Sequence, residues 1–170
     1  MRSRLATLFL LVALGACTST QPPSSQQPSG PAPTPTPDQR AAVPAQMGVE
    51  RQWLSAWFKG TPVRIRQVDD GAIAIEVPRE FCFDPGKTAV KPALGAVLDK
   101  MTQSLHRLAL ANVTLIAAPG DAQGSPDLAL KRAAQVHEHL RAAGVRSERL
   151  GKPSVASAPA VQLRMEASPL

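Results

Sequence analysis

The chain of 170 residues is 44% hydrophobic and 19% charged, and it carries a formal net charge of +6. Its basic residues form no dense cluster, which argues against nucleic acid as a partner. A modest positive charge instead suits an anionic polymer or an anionic lipid surface. About 125 residues follow an apolar leader and a low-complexity segment, which is enough for one domain and not for two.

The N-terminus has the order of features that is typical of a secretory signal peptide. Arg2 and Arg4 precede an apolar run over residues 5–14 that is too short to span a membrane. The sequence Leu14-Gly15-Ala16-Cys17 then resembles the bacterial lipobox, which implies that Cys17 becomes the lipidated N-terminus. We predict a lipoprotein signal peptide over residues 1–17. The alternative is an ordinary secretory signal in which the cysteine occurs by chance.

The residues around Cys17 also bear on location. Thr18 rather than Asp follows the cysteine, and by resemblance to known sorting rules this favours the outer membrane, with the domain facing the periplasm. Acyl chains would anchor the protein stably, because each buried methylene contributes about 0.8 kcal/mol. Lipidation leaves Cys82 without a cysteine partner, since the chain has two cysteines, and a disulfide framework is therefore excluded.

Residues 18–45 are rich in Pro, Ser, Thr and Gln and contain almost nothing that can form a core. We predict a disordered tether, followed by one folded domain over residues 46–170. As an extended polyproline II chain the tether would reach roughly 80 Å, and as a flexible coil it would average nearer 30 Å. Either length lets a folded domain leave the membrane surface.

A short amphipathic helix is predicted over Met47–Lys59, with Val49, Trp53 and Trp57 on one face. Two interpretations of this face stay open. It can be a contact surface for an envelope protein or for the membrane interface, or it can cover part of the domain's own core.

The remaining elements are predicted from periodicity and from turn residues. A hairpin is expected around Asp69-Asp70-Gly71, and Ser125 and Pro126 mark the start of the last helix. Residues 146–159 predict no element. The coarse order is a hairpin over residues 63–77, a helix over 92–108, a strand over 113–118, a helix over 125–144 and a strand over 161–166. This order predicts an α+β two-layer sandwich, with two helices on one face of a mixed sheet.

Three stretches of the chain carry a family resemblance. The first is Phe83-Asp84, followed by a small loop and a helix, and the last is the predicted strand from Val161 to Glu166. The central motif consists of Asp121, Gly124-Ser125, Leu128, Arg132-Ala133, Val136, Leu140 and Gly144. These stretches resemble the opening, the closing strand and the central motif of OmpA-like domains, a family that binds peptidoglycan, and the resemblance covers roughly residues 72–167. It implies an OmpA-like fold and noncovalent binding of peptidoglycan.

The resemblance also implies a site. In that family an aspartate in this loop and an arginine in the next helix hold the diaminopimelate residue of the stem peptide, and by position these are Asp121 and Arg132. A carboxylate and a guanidinium suit the amino group and the carboxylate of that side chain. The alternative is a turn aspartate and an exposed helix arginine. Neighbouring residues that can assist are Gln123, Gly124, Ser125 and Lys131.

The chain departs from the family pattern at this loop. Gly120 stands where Thr is usual, the segment between Ser125 and Leu128 is shorter than usual, and Ala158-Pro159-Ala160 replaces the usual Asn-Arg-Arg. These departures favour a second hypothesis, in which the domain is a protein-interaction module of an envelope or secretion complex and peptidoglycan binding is lost.

The sequence offers no residues for enzymatic or metal chemistry. His137 and His139 lie two positions apart on a helix and point in different directions, so they cannot share one ion, and His106 stands alone. Cys82 lies between two phenylalanines and is expected to be a buried small hydrophobe rather than a nucleophile. We therefore expect no catalytic residue, no metal and no cofactor.

Overall fold

The protein is built on a mixed β-sheet that packs against helices. The computed structural model describes residues 36–68, 71–121 and 125–168; the predicted signal peptide, Cys17 and residues 18–35 of the predicted tether lie outside them. The strands are β1 Arg64–Gln67, β2 Ile73–Pro78, β3 Ala111–Ala118, β4 Pro153–Val155 and β5 Ala160–Ala167. The helices are α1 Pro37–Trp57, α2 Pro92–Arg107 and α3 Pro126–Ala142.

The sheet order is β1-β2-β5-β3-β4, and every neighbouring pair is antiparallel except β3 and β4, which are parallel. Leu163 of the central strand β5 lies between Ile75 of β2 and Ile116 of β3. Burial alternates along β2 and β5, as their period of two predicts. The predicted α+β sandwich with a mixed sheet is confirmed.

Helices α2 and α3 bury the apolar stripes that their sequences predict. Ala129, Ala133, Val136 and Leu140 of α3 are fully buried. Gly144 follows the helix with φ of +93°, where glycine is favoured because it lacks a Cβ atom. The buried apolar residues of α2 are Leu94, Val97, Leu98, Met101 and Leu105.

Helix α1 begins earlier than predicted, so residues 37–45, which we expected in the tether, are helical. Thr36 caps the helix: its hydroxyl accepts a hydrogen bond from the Gln39 amide, and the Gln39 side chain accepts one from the Thr36 amide. Val43 and Met47 are buried in the core. The proline-rich composition concealed this start, although the spacing of Thr36 and Gln39 is that of a capping box.

The buried face of α1 also differs from the predicted one. Val43, Met47, Glu50 and Leu54 are buried, whereas the side of the helix that carries Val49 is exposed. Val49 is 63% exposed and Trp57 is 55% exposed, while Trp53 is half-buried. Helix α1 therefore covers the domain's own core, as one of the two interpretations expected, but it does so with another face.

A buried carboxylate joins α1 to α2. Glu50 accepts hydrogen bonds from the Ser104 hydroxyl at 2.8 Å and from two nitrogens of Arg107 at 2.7 Å each. The same guanidinium lies 4.1 Å from the ring centroid of Trp53, and Lys100 Nζ lies 3.6 Å from that of Trp57. Two cations of α2 thus pack on the two indoles of α1.

Strand β4 occupies part of the stretch for which the sequence predicted no element. Its three residues pair with Ile116, Ala117 and Ala118 of β3. The chain that leads into β4 passes close to β3 at Gly151, whose amide donates a hydrogen bond to the Val113 carbonyl. Only glycine fits there, because an added Cβ atom would collide with the Thr114 carbonyl. A strand of three residues is too short for its alternation of buried and exposed side chains to be detected in the sequence.

Among the described residues, no helix is both long enough and apolar enough to cross a membrane.

The Glu50 contacts predict a pH-dependent stability. Hydrogen bonds from Arg107 hold the pKa of Glu50 below its ordinary value of 4.5, against the opposing effect of burial. A lowered folded-state pKa contributes stability that is present above about pH 4.5 and is lost as the pH falls further. Glu50→Gln should therefore lower the free energy of unfolding at pH 7 by about 1.5–3 kcal/mol.

The difference between wild type and Glu50→Gln should shrink between about pH 5 and pH 3, as urea titrations at each pH would measure. Glu148→Gln, which removes an exposed carboxylate elsewhere, is the control. A wild-type advantage that stays constant over this range would contradict the assignment.

Candidate ligand-binding site

The end of β3, the start of α3 and the loop before α2 meet at one place. Asp121 follows β3 by three residues, and Ser125 caps α3 by accepting a hydrogen bond from the Leu128 amide. The structure brings the two predicted site residues together: Arg132 Nη2 lies 2.7 Å from Asp121 Oδ1. Two predicted auxiliaries, Gln123 and Gly124, lie outside the described residues.

Arg132 is fully buried, so the alternative of an exposed helix arginine is wrong. Its Nε donates to the Lys87 carbonyl at 2.9 Å, its Nη1 to the Pro119 carbonyl at 3.0 Å and its Nη2 to the Asp84 carbonyl at 3.1 Å. Its Cζ also lies 5.0 Å from the centroid of the Phe83 ring. The guanidinium fork therefore connects α3, the end of β3 and the loop over residues 84–87.

Asp121 is the solvent-facing member of the pair, with 36% of its side chain exposed. Its Oδ2 accepts a hydrogen bond from the Gly86 amide at 2.7 Å. Gly86 has φ of +68°, a conformation that suits glycine. The Gly86 amide and then the Arg132 guanidinium hold the pKa of Asp121 below its ordinary value, so the carboxyl is ionised at neutral pH.

A cleft of about 430 Å³ opens beside Asp121. Charged side chains of both signs line it together with an aromatic ring and a proline. The described lining residues are Arg79, Glu80, Phe83, Asp84, Pro85, Lys91 and Asp121. Such a surface suits a small ligand that carries an ammonium and a carboxylate on one chain.

The cations of this cleft were not predicted from the sequence. Arg79 lies in a short 3₁₀ turn after β2, and its Nη1 donates to the Gly120 carbonyl at 3.3 Å. Lys91 Nζ contacts Asp84 Oδ1 at 3.1 Å and donates to the Glu80 carbonyl at 3.0 Å. No local motif marks either residue, because each is distant in sequence from Asp121. The predicted auxiliaries Ser125 and Lys131 are exposed, and neither is among the described lining residues.

The other candidate residues lie apart from this cleft. His139 Nε2 contacts Asp99 Oδ1 at 2.9 Å, and no cluster of three metal-ligating side chains occurs among the residues that the structure describes. Cys82 is fully buried, as expected, and burial raises the pKa of its thiol to about 12. A thiol with so high a pKa is unreactive at neutral pH.

The fold and the site together define an α+β sandwich with a buried arginine and a partly exposed aspartate at one end of its sheet. No protein-family model matches the sequence, and no curated protein matches it. Solved structures do match the fold. A MotB-like protein from Desulfovibrio vulgaris has a TM-score of 0.59 and 19% identity, over 78% of this chain and 97% of that one.

Two further structures show the same likeness. The cell wall anchor of the T6SS from Pseudomonas aeruginosa has a TM-score of 0.55 and 13% identity, over 70% of this chain and 96% of that chain. The periplasmic domain of Helicobacter pylori MotB has a TM-score of 0.54 and 15% identity, over 65% and 83%. The chain therefore has the fold of OmpA-like domains that the sequence motifs predicted.

The burial of Arg132 predicts a large effect on stability. Arg132→Ala removes a fully buried cation and leaves three carbonyls and a carboxylate without their donor, so it should cost about 3–5 kcal/mol of unfolding free energy. Arg132→Lys should recover only part of this, because one ammonium cannot replace the planar fork. Urea denaturation measures both effects, with exposed Arg146→Ala as the control. A loss below about 1 kcal/mol for Arg132→Ala would mean that this arginine does not organise the loops.

Proposed function

We propose that this domain binds peptidoglycan noncovalently through the cleft beside Asp121. The observation that carries the proposal is an ionised, partly exposed carboxylate, which Arg132 and the Gly86 amide fix at the mouth of a cleft of mixed charge. The resemblance of the central motif to OmpA-like domains supports the choice of ligand. The fold shared with the T6SS cell wall anchor supports it as well.

The chemistry of the stem peptide matches this arrangement. The diaminopimelate side chain ends in an ammonium and a carboxylate on the same carbon. Asp121 can accept charge-assisted hydrogen bonds from the ammonium, because each of its oxygens keeps a second lone pair. Arg132 was expected from the resemblance to contact the ligand, but its side chain is only 1% exposed. In this proposal Arg132 is a positioning residue that acts through Asp121.

Binding to purified peptidoglycan sacculi tests the proposal. We expect the chain from residue 18 onward to co-sediment with sacculi, and Asp121→Asn to weaken the binding at least tenfold because the amide cannot attract the ammonium. Asp127→Asn is the matched control, since it removes an exposed carboxylate in the first turn of α3. Absence of sedimentation by the folded wild type, or equal binding by Asp121→Asn, would refute the proposal.

We also propose that the domain is held at the outer membrane. The lipobox at Cys17 supports a lipid anchor, and the low-complexity segment that follows supports a spacer between membrane and domain. The protein would then connect the outer membrane to the cell wall from the periplasmic side.

The proposed lipid anchor predicts the cell fraction in which wild type and a variant without Cys17 are found. Wild type expressed in a Gram-negative host should sediment with the outer membrane and incorporate labelled palmitate, whereas Cys17→Ser should do neither, because the acylated thiol is absent. Cys82→Ser is the matched control, because the second cysteine is buried in the domain. Recovery of wild type in the soluble periplasmic fraction would contradict the anchor.

A second candidate function rests on a different surface. Val49 and Trp57 on the outer side of α1 are 63% and 55% exposed, so this helix presents two apolar side chains to solvent. This surface favours a protein-interaction module in which the shortened loop has lost the wall ligand. A wild-type chain that is folded but does not bind sacculi would favour this second function.

A further inference from the structure

We infer that Arg79 is the residue that binds the carboxylate of the ligand, opposite the ammonium that Asp121 binds. This inference rests on the proposed function and specifies how the same cleft selects its ligand. It assigns recognition of the zwitterionic end of a diamino acid to two residues that lie far apart in sequence.

The burial of the three nearby cations distinguishes their roles. Arg132 is fully buried, and its guanidinium donates hydrogen bonds to backbone carbonyls of two loops as well as pairing with Asp121. A ligand could engage it only by breaking those bonds. Arg79 is half-buried and lines the cleft, so a ligand can reach it without disturbing the fold.

Lys91 also lines the cleft but has stronger contacts of its own. Its ammonium pairs with Asp84 and donates to the Glu80 carbonyl, at 3.1 and 3.0 Å. Among the described residues, the Arg79 guanidinium makes a single long hydrogen bond, of 3.3 Å to the Gly120 carbonyl. A guanidinium with one long contact loses little when it turns towards a ligand carboxylate, and it can bind that carboxylate through two parallel hydrogen bonds.

The backbone of Arg79 is held in place, which limits the positions that its side chain can reach. Its amide donates to the Pro159 carbonyl at 3.0 Å, and its carbonyl accepts from the amides of Cys82 and Phe83 at 2.9 and 3.2 Å. Its guanidinium contacts Gly120, the residue directly before Asp121. The cation of Arg79 and the carboxylate of Asp121 therefore both lie next to Gly120. A ligand with two opposite charges on one carbon requires two such groups close together.

The charge of Arg79 also reaches the aspartate. It contributes to the lowering of the Asp121 pKa, after the larger effects of Gly86 and Arg132. A ligand ammonium placed at Asp121 would lie near the cation of Arg79. The adjacent ligand carboxylate would offset that repulsion, so the pair favours a zwitterion over a simple amine.

The test compares two peptides and four proteins by isothermal titration calorimetry, with the chain from residue 18 onward. One peptide is a muropeptide tripeptide that ends in diaminopimelate, and the other carries the amide in place of the side-chain carboxylate. We expect wild type to bind the amidated peptide at least tenfold more weakly than the acidic peptide. Arg79→Gln should bind the acidic peptide at least tenfold more weakly than wild type does, and should bind both peptides about equally.

Two further variants make the result specific. Lys59→Gln removes an exposed cation beyond α1 and should behave as wild type does. Arg79→Lys should keep part of the preference for the acidic peptide, because an ammonium retains the charge but not the paired hydrogen bonds. Thermal unfolding of each variant shows whether the fold is retained, and Arg79→Lys replaces Arg79→Gln if the latter does not fold.

The outcomes separate the two proposals. If wild type binds neither peptide, the proposed function fails and this inference fails with it. If wild type binds the acidic peptide and Arg79→Gln still discriminates against the amide as strongly as wild type does, the wall-binding function stands and the role of Arg79 is refuted. If Arg79→Gln weakens the binding of both peptides by the same factor, the role of Arg79 is also refuted. A residue that contacts only the ligand carboxylate cannot affect the binding of the amidated peptide.

Discussion

The end of the sheet depends on one buried guanidinium. Burial of an arginine is unfavourable unless an opposite charge and several hydrogen bonds compensate, and Arg132 has both. The planar fork reaches the carbonyls of Asp84, Lys87 and Pro119 at once, which a lysine ammonium could not do. Because Asp121 balances its charge, the contact that stabilises the loops also places an ionised carboxylate at the protein surface. In the proposed function, fold stability and ligand recognition therefore depend on the same ion pair.

The cations around the cleft differ in how firmly they are held. A cation that is buried and hydrogen-bonded to backbone carbonyls is rigid, so it can orient a neighbouring side chain but cannot exchange its partners for a ligand. A half-buried cation with one long hydrogen bond can exchange partners, since little is lost when that bond breaks. Arg132 belongs to the first kind and Arg79 to the second. Burial and hydrogen bonding, rather than residue type, therefore decide which arginine is accessible from the cleft.

The first helix shows how a buried charge can mislead a prediction from local pattern. The sequence predicted an amphipathic helix with Val49, Trp53 and Trp57 on its apolar face, and a glutamate such as Glu50 is rarely buried. In the structure Glu50 is buried, because Ser104 and Arg107 of α2 supply its hydrogen bonds across a separation of more than fifty residues. The tryptophans instead lie beneath the cations of α2, with Trp57 still more than half exposed. A partner available only in the folded state reversed the usual preference of a carboxylate for water.

The amino-acid sequence by itself determined the class of fold and most of its elements. The alternation in β2 and β5, the stripes of α2 and α3, and the caps at Ser125 and Gly144 are local signals. The motif that resembles OmpA-like domains predicted that Asp121 and Arg132 lie together, and the two side chains are in contact. Tertiary structure alone decided that Arg132 is buried, that β4 pairs with β3, and that Arg79 and Lys91 join Asp121 in the cleft. The physical reason is that periodicity and capping act within a few residues of the chain. Burial of a charge and the lining of a cleft depend on segments that meet only when the sheet has formed.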